Sequence, residues 1–307
     1  MARLGHCWDW LCHRVQPWHL APWEALVMRL GFALVIYFET FPPLKERFDS
    51  QPQPNGLAEW GFDFTFFADP GTYALFCGVG VGALVLYVIG LVPWLALPYL
   101  AWFSIATKTL ANSQGGISHS YQMVSLILLA QAVVAIWWVL RGRDSRVGPW
   151  RTAIKADRLA VYYSQVVIAA CYVTAGITKL LNSGGAWLWN TPYLVKDLVK
   201  TQRQNFYSQL DVERFGGEVP YVDAMLQHPM WTRILFAPGI FLELAACLAL
   251  LGRKWALGLG LALIALHAGI DEVMQLNFKV FQLSVLIFLV HPPHWLARVF
   301  RLKNVQF

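Results

Sequence analysis

The sequence predicts an all-α fold, a polytopic integral membrane helix bundle with about eight transmembrane helices. Three observations favour this class. Hydrophobic residues make up 57% of the 307 residues and charged residues only 14%, against about 25% charged residues in soluble domains. The 15 tryptophans are typical of the aromatic belts that form at membrane interfaces. Apolar segments of about 20 residues, the length that a helix needs to cross a bilayer, recur along the chain.

The N-terminal segment 1–22 lacks the apolar run and the cleavage site of a signal peptide. Leu4, Trp8, Leu11 and Val15 follow helical spacing and would share one face of a helix. The pattern predicts a short interfacial amphipathic helix that lies on the membrane surface.

Composition also bears on other classes of protein. The net charge of +6 is not arranged as a basic stripe interleaved with aromatic residues, so we expect no nucleic-acid partner. The five cysteines are an odd number at irregular spacing, which predicts no disulfide framework. Cys7 and Cys12 would lie about 140° apart around the N-terminal helix, and we therefore predict no metal site.

A transmembrane bundle is predicted over residues 23–297. Gly90 and Pro93 alone separate its second and third spans, which predicts a tight hairpin. The stretch 193–212 is amphipathic enough to form a further helix outside the bilayer. The eight predicted spans are 23–41, 72–91, 93–110, 120–140, 159–181, 231–251, 255–271 and 275–291.

Lysine and arginine in the connecting segments predict the orientation of the bundle. They concentrate in the 141–158 loop, the 252–254 turn and the basic tail 298–307. With eight spans, all three segments fall on the same side as the N-terminus, so both termini are predicted to be cytoplasmic. The acid-rich connections 42–71 and 182–230 are then predicted to face the periplasm or lumen.

Three ionisable residues are predicted to share one level near the outer end of the bundle: His119, Lys179 and His267. Ionisable groups at such depth are costly and often mark function. The alternatives are a lysine that reaches to the lipid headgroups and histidines that cap a helix or bind a neighbouring one. Arg29 and Glu243, counted at 1.5 Å per residue from the inner ends of their spans, both lie about 10 Å deep. We predict that these two form a structural ion pair.

Four motifs occur in order along the chain. They are Met28-Arg29-Leu30-Gly31; His119-Ser120-Tyr121; Ala175-Gly176-Ile177-Thr178-Lys179-Leu180, followed by Trp187; and Leu242-Glu243-Leu244, followed by a span that reaches His267. Together they resemble the vitamin K-dependent gamma-glutamyl carboxylases and the wider group of HTTM-domain membrane proteins. The resemblance covers the membrane part of those carboxylases, without their large lumenal region.

The resemblance implies roles for particular residues. Lys179 matches the lysine that removes a proton from reduced vitamin K, and His119 matches a histidine that assists. His267, Tyr121 and Trp187 are expected to line the quinone site. A lysine acts as a base only as the neutral amine, and an apolar setting disfavours the charged form.

The resemblance also implies cofactors and partners. The cofactor is reduced vitamin K or another isoprenoid hydroquinone, with O2 and CO2 as co-substrates. Oxygen addition produces a strong base that removes a proton from the gamma carbon of glutamate, which then captures CO2. The expected partners are membrane lipid, an isoprenoid quinone and a peptide or protein acceptor, whose reacting group is a glutamyl side chain or another group. The alternative is a non-catalytic quinone-binding or assembly protein. A transporter ranks lower, because the two halves show no matching pair of interrupted spans.

Overall fold

The computed structural model describes residues 18–41, 63–112, 122–141, 149–210, 212–215, 217–219, 221–274, 276 and 278–300. Over these ranges the regular structure is helical, and they contain no β-strand. Most of the predicted interfacial segment 1–22 and of the tail 298–307 lies outside the described residues.

Thirteen α-helices, numbered in chain order, are defined within these ranges. They are α1 Pro22–Thr40, α2 Pro70–Ile89, α3 Pro93–Asn112, α4 Gln122–Leu140, α5 Pro149–Asn182, α6 Trp187–Asn190, α7 Val195–Gln209, α8 Val212–Phe215, α9 Val222–Gln227, α10 Pro229–Ala245, α11 Arg253–Met274, α12 Lys279–Val285 and α13 Pro292–Val299. Short 3-10 segments cover Thr65–Ala68, Thr191–Leu194 and Ala246–Leu251, and a π-helical segment covers Leu286–Val290.

Five of the described helices are long and apolar enough to cross a membrane. They are α2, α4, the Ala156–Asn182 part of α5, α10 with its 3-10 extension to Leu251, and α11. Helices α12 and α13, bent by 46°, would make a sixth if they form one span. A multi-pass helical bundle is therefore confirmed, whereas a count of eight spans is not.

The two other long helices carry more polar residues than a typical span. Helix α1 contains Glu24, Arg29 and Glu39. Helix α3 contains Pro98 and the buried Lys108. Both helices are nevertheless packed into the bundle, since α1 contacts α2 and α5, and α3 lies between α2 and α4.

Large apolar side chains lie on both the inside and the outside of the bundle. The inner ones form a continuous core that includes Phe32, Leu100, Ile127, Ile168 and Phe288. The outer ones are more than half exposed on several helices, among them Leu34, Leu75, Val85, Val133 and Leu235. An exposed apolar surface of this extent suits a lipid environment.

The predicted hairpin between the second and third spans is confirmed. Helix α2 ends at Gly90, whose φ of 75° lies in the left-handed region that glycine adopts without steric cost. Pro93 then begins α3, at a helix start where proline needs no N–H donor. The predicted amphipathic helix at 193–212 is also confirmed as α7.

The predicted last span 275–291 is helical over Lys279–Val290, which is shorter than a bilayer crossing needs unless α13 continues the span. A residue that precedes a proline rarely adopts the right-handed α conformation. His291, which precedes Pro292, has a φ of 53°. The chain bends there, between the π-helical segment and α13. The bend is held by Arg253, whose Nη1 lies 3.0 Å from His291 Nδ1, and by Glu24, whose Oε1 lies 3.1 Å from His294 Nδ1. We call this part of the bundle the Arg253 end.

Candidate functional site

A close crossing of α5 and α10 brings a lysine and a glutamate together. Gly176 of α5 faces α10, and a Cβ added there would lie 3.0 Å from Leu244 Cδ2 and 3.3 Å from Glu243 Cβ. One turn further along α5, Lys179 Nζ lies 2.5 Å from Glu243 Oε1. The glycine thus allows the approach of the two helices, and the Lys179–Glu243 pair closes the contact.

The two partners differ in their exposure. The side chain of Glu243 is 8% exposed, whereas that of Lys179 is 37% exposed. The Lys179 ammonium nitrogen also lies 5.4 Å from the centroid of the Trp187 ring, a distance at which a cation and an aromatic face attract each other. Lys179 is therefore held between a buried carboxylate and an indole ring.

A second polar pair lies deeper in the bundle, between α5 and α11. The Tyr172 hydroxyl lies 2.6 Å from His267 Nε2. The histidine ring also contacts two phenylalanine rings, with centroid distances of 4.8 Å to Phe278 and 5.7 Å to Phe281. His267 is buried in this aromatic setting, with an exposed fraction of 5%.

The two pairs form one electrostatic neighbourhood. The charge of Lys179 acts on His267, and that of Glu243 acts on Tyr172. Along α5, Tyr172 and Lys179 are seven residues apart, which is about 10 Å of helix. We call this neighbourhood, defined by Lys179, Glu243, Tyr172 and His267, the Lys179 end of the bundle.

One buried polar atom of each pair has no hydrogen-bond partner among the described residues. These atoms are Glu243 Oε2 and His267 Nδ1. Buried polar atoms almost always have a partner, from the protein, from water or from a ligand. A partner for either atom would have to come from water, from a ligand or from residues outside the described ranges.

The structure brings together three of the predicted site residues, Lys179, His267 and Trp187. His119 and Tyr121, the other two, lie outside the described residues. Sequence reasoning missed Tyr172 as a member of the site. Its position seven residues before Lys179, which places both on nearly the same helix face, is a signal that could have found it.

The predicted ion pair between Arg29 and Glu243 is corrected by the structure. Glu243 lies beside Lys179, whereas Arg29 lies beside Gly90 at the α2–α3 turn, and its charge acts on Asp157. The predicted depth of Glu243 was counted from Leu251 at 1.5 Å per residue, which is the rise of an α-helix. Residues Ala246–Leu251 form a 3-10 segment instead, and the longer rise of that helix moves Glu243 away from the inner end.

Arg29 borders a cavity of about 50 Å³, which is room for a few water molecules. Tyr87, Gln131 and Asp157 also line it. The Tyr87 hydroxyl donates to Gln131 Oε1 at 3.1 Å, and Gln131 Nε2 donates to Ser164 Oγ at 2.9 Å. This cavity, whose lining is mostly apolar, borders the guanidinium that was predicted to meet Glu243.

The described residues contain no group of three or more His, Cys, Asp or Glu side chains that could hold a metal ion. Comparison of the chain with protein-family models, with curated proteins and with solved structures found no match.

Proposed function

We propose that this chain is an integral membrane, quinol-dependent enzyme similar to the vitamin K-dependent carboxylases, with its reactive groups at the Lys179 end. The observation that carries the proposal is the 2.5 Å contact between Lys179 Nζ and Glu243 Oε1, beside the Trp187 ring and the buried His267. Removal of a proton from a lipid-soluble phenol needs a proton acceptor in an apolar setting that the phenol can reach from the bilayer.

The residues present fit a hydroquinone. A hydroquinone carries two hydroxyl groups, and this end of the bundle holds two buried polar atoms that lack a partner among the described residues, Glu243 Oε2 and His267 Nδ1. The rings of Trp187, Phe278 and Phe281 offer apolar faces beside these polar atoms. When bound, a hydroquinone supplies a phenolic proton and a ring that can lose two electrons, with O2 and CO2 as the co-substrates that the resemblance implies.

In this proposal Lys179 and Glu243 act as one proton-accepting unit. An ammonium with a carboxylate and an amine with a carboxylic acid carry the same net charge, and in the second form the Lys179 amine takes up the proton of the ligand. The unit then carries one positive charge, and the Lys179 ammonium faces the negative charge that is left on the ligand oxygen. The partly exposed and paired Lys179 thus differs from the isolated, desolvated lysine expected from the sequence.

We also propose an orientation and an acceptor. The basic residues of the 141–158 loop and the 252–254 turn favour cytoplasmic termini. The Lys179 end then faces the periplasm or lumen, where the 182–230 connection would meet a peptide or protein acceptor. His119 remains the proposed helper of Lys179, and Tyr121 a proposed ligand contact.

A second candidate is a non-catalytic quinone-binding or assembly protein. It is favoured by one observation, that Lys179 is over a third exposed and lies against a carboxylate. A lysine held by a carboxylate can bind a ligand oxygen without removing a proton from it.

The two candidates predict different results for purified protein in nanodiscs. The measurements are identification of any co-purified quinone and oxygen-dependent consumption of added menaquinol. Lys179→Arg keeps the positive charge but cannot release a proton, so an enzyme should lose turnover while it keeps quinone binding. His119→Ala should slow turnover by about 10²–10⁴-fold, the range of acid–base assistance.

Lys196→Arg is the matched control, because Lys196 is an exposed residue of α7 whose Nζ also lies over an aromatic ring, 5.5 Å from the Tyr193 centroid. It should behave as the wild type does. Wild-type turnover in Lys179→Arg would remove the lysine from the chemistry. Quinone binding without turnover in the wild type would establish the non-catalytic candidate instead.

A further inference from the structure

A groove of about 600 Å³ lies on the surface of the bundle between α3 and α4. On each helix its lining residues recur once per turn, which is the spacing of residues that share one helix face. The α3 face consists of Pro98, Ala101, Trp102, Ile105 and Thr109, and the α4 face of Leu129, Ala132, Val133 and Ile136. We call this feature the α3–α4 groove.

The groove arises from a difference in residue size. Ala101 and Ala132 are buried, and their small side chains leave the space between the two helices unfilled. The walls carry larger side chains, which are exposed on both helices. The ring of Phe64, from the segment before α2, also lines the groove, with its centroid 6.4 Å from that of Trp102. The groove is thus partly covered by an aromatic ring and otherwise open to the outside of the bundle.

The groove lies at the depth of membrane hydrocarbon. Helix α4 is a candidate span, and its lining residues begin seven positions after Gln122 and end fourteen positions after it. At 1.5 Å per residue, this stretch is about 10–21 Å from the start of α4. It therefore lies in the middle of a hydrocarbon layer that is about 30 Å thick. The groove opens onto lipid chains and not onto water.

We propose that the α3–α4 groove binds one acyl chain of a membrane phospholipid, with the chain parallel to the two helices and partly covered by Phe64. From Pro98 to Thr109 the groove extends about 16 Å along α3, close to the about 15 Å of hydrocarbon in one leaflet. This inference is independent of the proposed function.

The binding energy in such a site comes from packing. Within hydrocarbon, the hydrophobic effect does not favour contact between a lipid chain and a helix. Van der Waals attraction does, because a chain in the groove touches two helix faces and a ring, whereas a chain elsewhere touches one convex surface. The groove should therefore hold a chain more often than the rest of the lipid-facing surface does.

Two other occupants suit the groove less well. The segments 42–62 and 113–121 adjoin Phe64 and α3 in sequence but lie outside the described residues. Both are rich in polar residues, and irregular backbone exposed to lipid leaves N–H and C=O groups unpaired. A second copy of the chain is the other occupant. Close contact between helices in a membrane uses small residues at the interface, whereas Trp102 and Ile105 stand on the wall here.

The test uses the full chain in nanodiscs of phosphatidylcholine, with a small fraction of phosphatidylcholine that carries a diazirine on one acyl chain. Illumination attaches this probe to the residues that its acyl chain touches, and mass spectrometry of peptides locates them. We expect attachment at Ile105 and Val133 to exceed that at Leu75 and Val85 by about fivefold. The latter two are more than half exposed on α2 and lie outside the groove, so they report contact with bulk lipid.

Two substitutions fill the groove from opposite walls, Val133→Trp from α4 and Ile105→Trp from α3. In each variant, attachment at the remaining groove residues should fall to the level of Leu75. Val85→Trp is the matched control, because it makes the same change at an exposed valine of α2. It should leave the excess attachment in the groove unchanged. Thermal unfolding in detergent identifies which of the two filling variants are folded.

Loss of the excess attachment in a folded filling variant, with the excess kept in Val85→Trp, would support the site. An excess that persists when the groove is filled would overturn it. Equal attachment at the groove and on α2 in the wild type would overturn it too, since the groove would then hold only bulk lipid. Attachment in the groove below that on α2 would show that protein occupies it. A dimeric mass would then indicate a second copy, and a monomeric mass one of the segments 42–62 and 113–121.

Discussion

The guanidinium of Arg29 occupies the space that a side chain on Gly90 would need. A Cβ built on Gly90 would overlap with Nη1 of Arg29. The φ of 75° at Gly90 also lies in the left-handed region. Gly90 thus suits the sharp end of α2, and an alanine there would also displace the Arg29 guanidinium.

The first prediction separates these two effects. A non-glycine residue in the left-handed region costs about 1–2 kcal/mol of stability. Gly90→Ala should lower the free energy of unfolding by more than this, because Arg29 must also move. Gly184→Ala is the control, since Gly184 has a φ of 58° and no heavy atom near the added Cβ. In an Arg29→Met background, the excess cost of Gly90→Ala should decrease. Thermal unfolding in detergent measures all four variants, and equal costs for the two glycines would contradict the steric role of Arg29.

The second prediction concerns the pair at the Lys179 end. Glu243→Gln and Lys179→Met should each lower stability, and the double variant should recover part of the summed loss. A fully buried pair costs about 3–5 kcal/mol when one partner is removed. Because Lys179 is 37% exposed, solvent screening should reduce the coupling to about 1–2 kcal/mol.

A double-mutant cycle by chemical or thermal unfolding measures this coupling. Glu243→Gln combined with Lys196→Met is the control cycle, because Lys196 lies on a different helix over Tyr193. Its losses should add to within about 0.5 kcal/mol. Additive losses in the Lys179 cycle as well would show that the 2.5 Å contact contributes no coupling energy.

The sequence allowed the class of fold and part of the site to be predicted. The length of the apolar segments identified a membrane helix bundle, and Gly90 with Pro93 identified the hairpin between α2 and α3. The order of the motifs placed Lys179, Trp187 and His267 in one group, and the structure brings these three residues together. These predictions depend on composition and local spacing, which a sequence contains directly.

The partner of Glu243 could not be predicted in the same way. Its identity depends on the crossing of α5 and α10 at Gly176 and on the 3-10 geometry of Ala246–Leu251, and both are tertiary properties. The inclusion of Tyr172 in the site depends likewise on its contact with α11. The bend after Val290 depends on His291, whose φ of 53° accompanies its contact with Arg253.

The third prediction concerns how the stability of the N-terminal end of α2 depends on pH. Asp69 caps this helix, since its Oδ2 accepts a hydrogen bond from the backbone N–H of Thr72 at 2.7 Å. Hydrogen bonds from the side chain and backbone of Thr72 lower the pKa of Asp69 below its ordinary value of 3.8. Because the folded pKa is the lower one, the stabilisation is present above pH 3.8 and is lost as the pH falls through the folded pKa.

Amide hydrogen exchange of residues 71–75, corrected for its intrinsic pH dependence, checks this prediction. Exchange should accelerate below about pH 4 in the wild type. Asp69→Asn keeps a capping oxygen but has no titrating group, so its exchange should not change with pH in this range. A pH-dependent opening of the same size in Asp69→Asn would assign the effect to another group.

The last prediction tests the orientation on which the proposed function depends. The basic residues of the 141–158 loop favour its retention in the cytoplasm, and the 182–230 connection is then outside, beside the Lys179 end. A cysteine placed at Ser145 should resist a membrane-impermeant thiol reagent in intact cells, and one placed at Ser208 should react.

Both variants are made in a background from which the five native cysteines have been removed, and both should react after detergent permeabilisation. Reaction at Ser145 with protection at Ser208 would place the Lys179 end on the cytoplasmic side. An acceptor in the periplasm or lumen could not then reach the lysine and the glutamate, and the acceptor would have to be a cytoplasmic molecule.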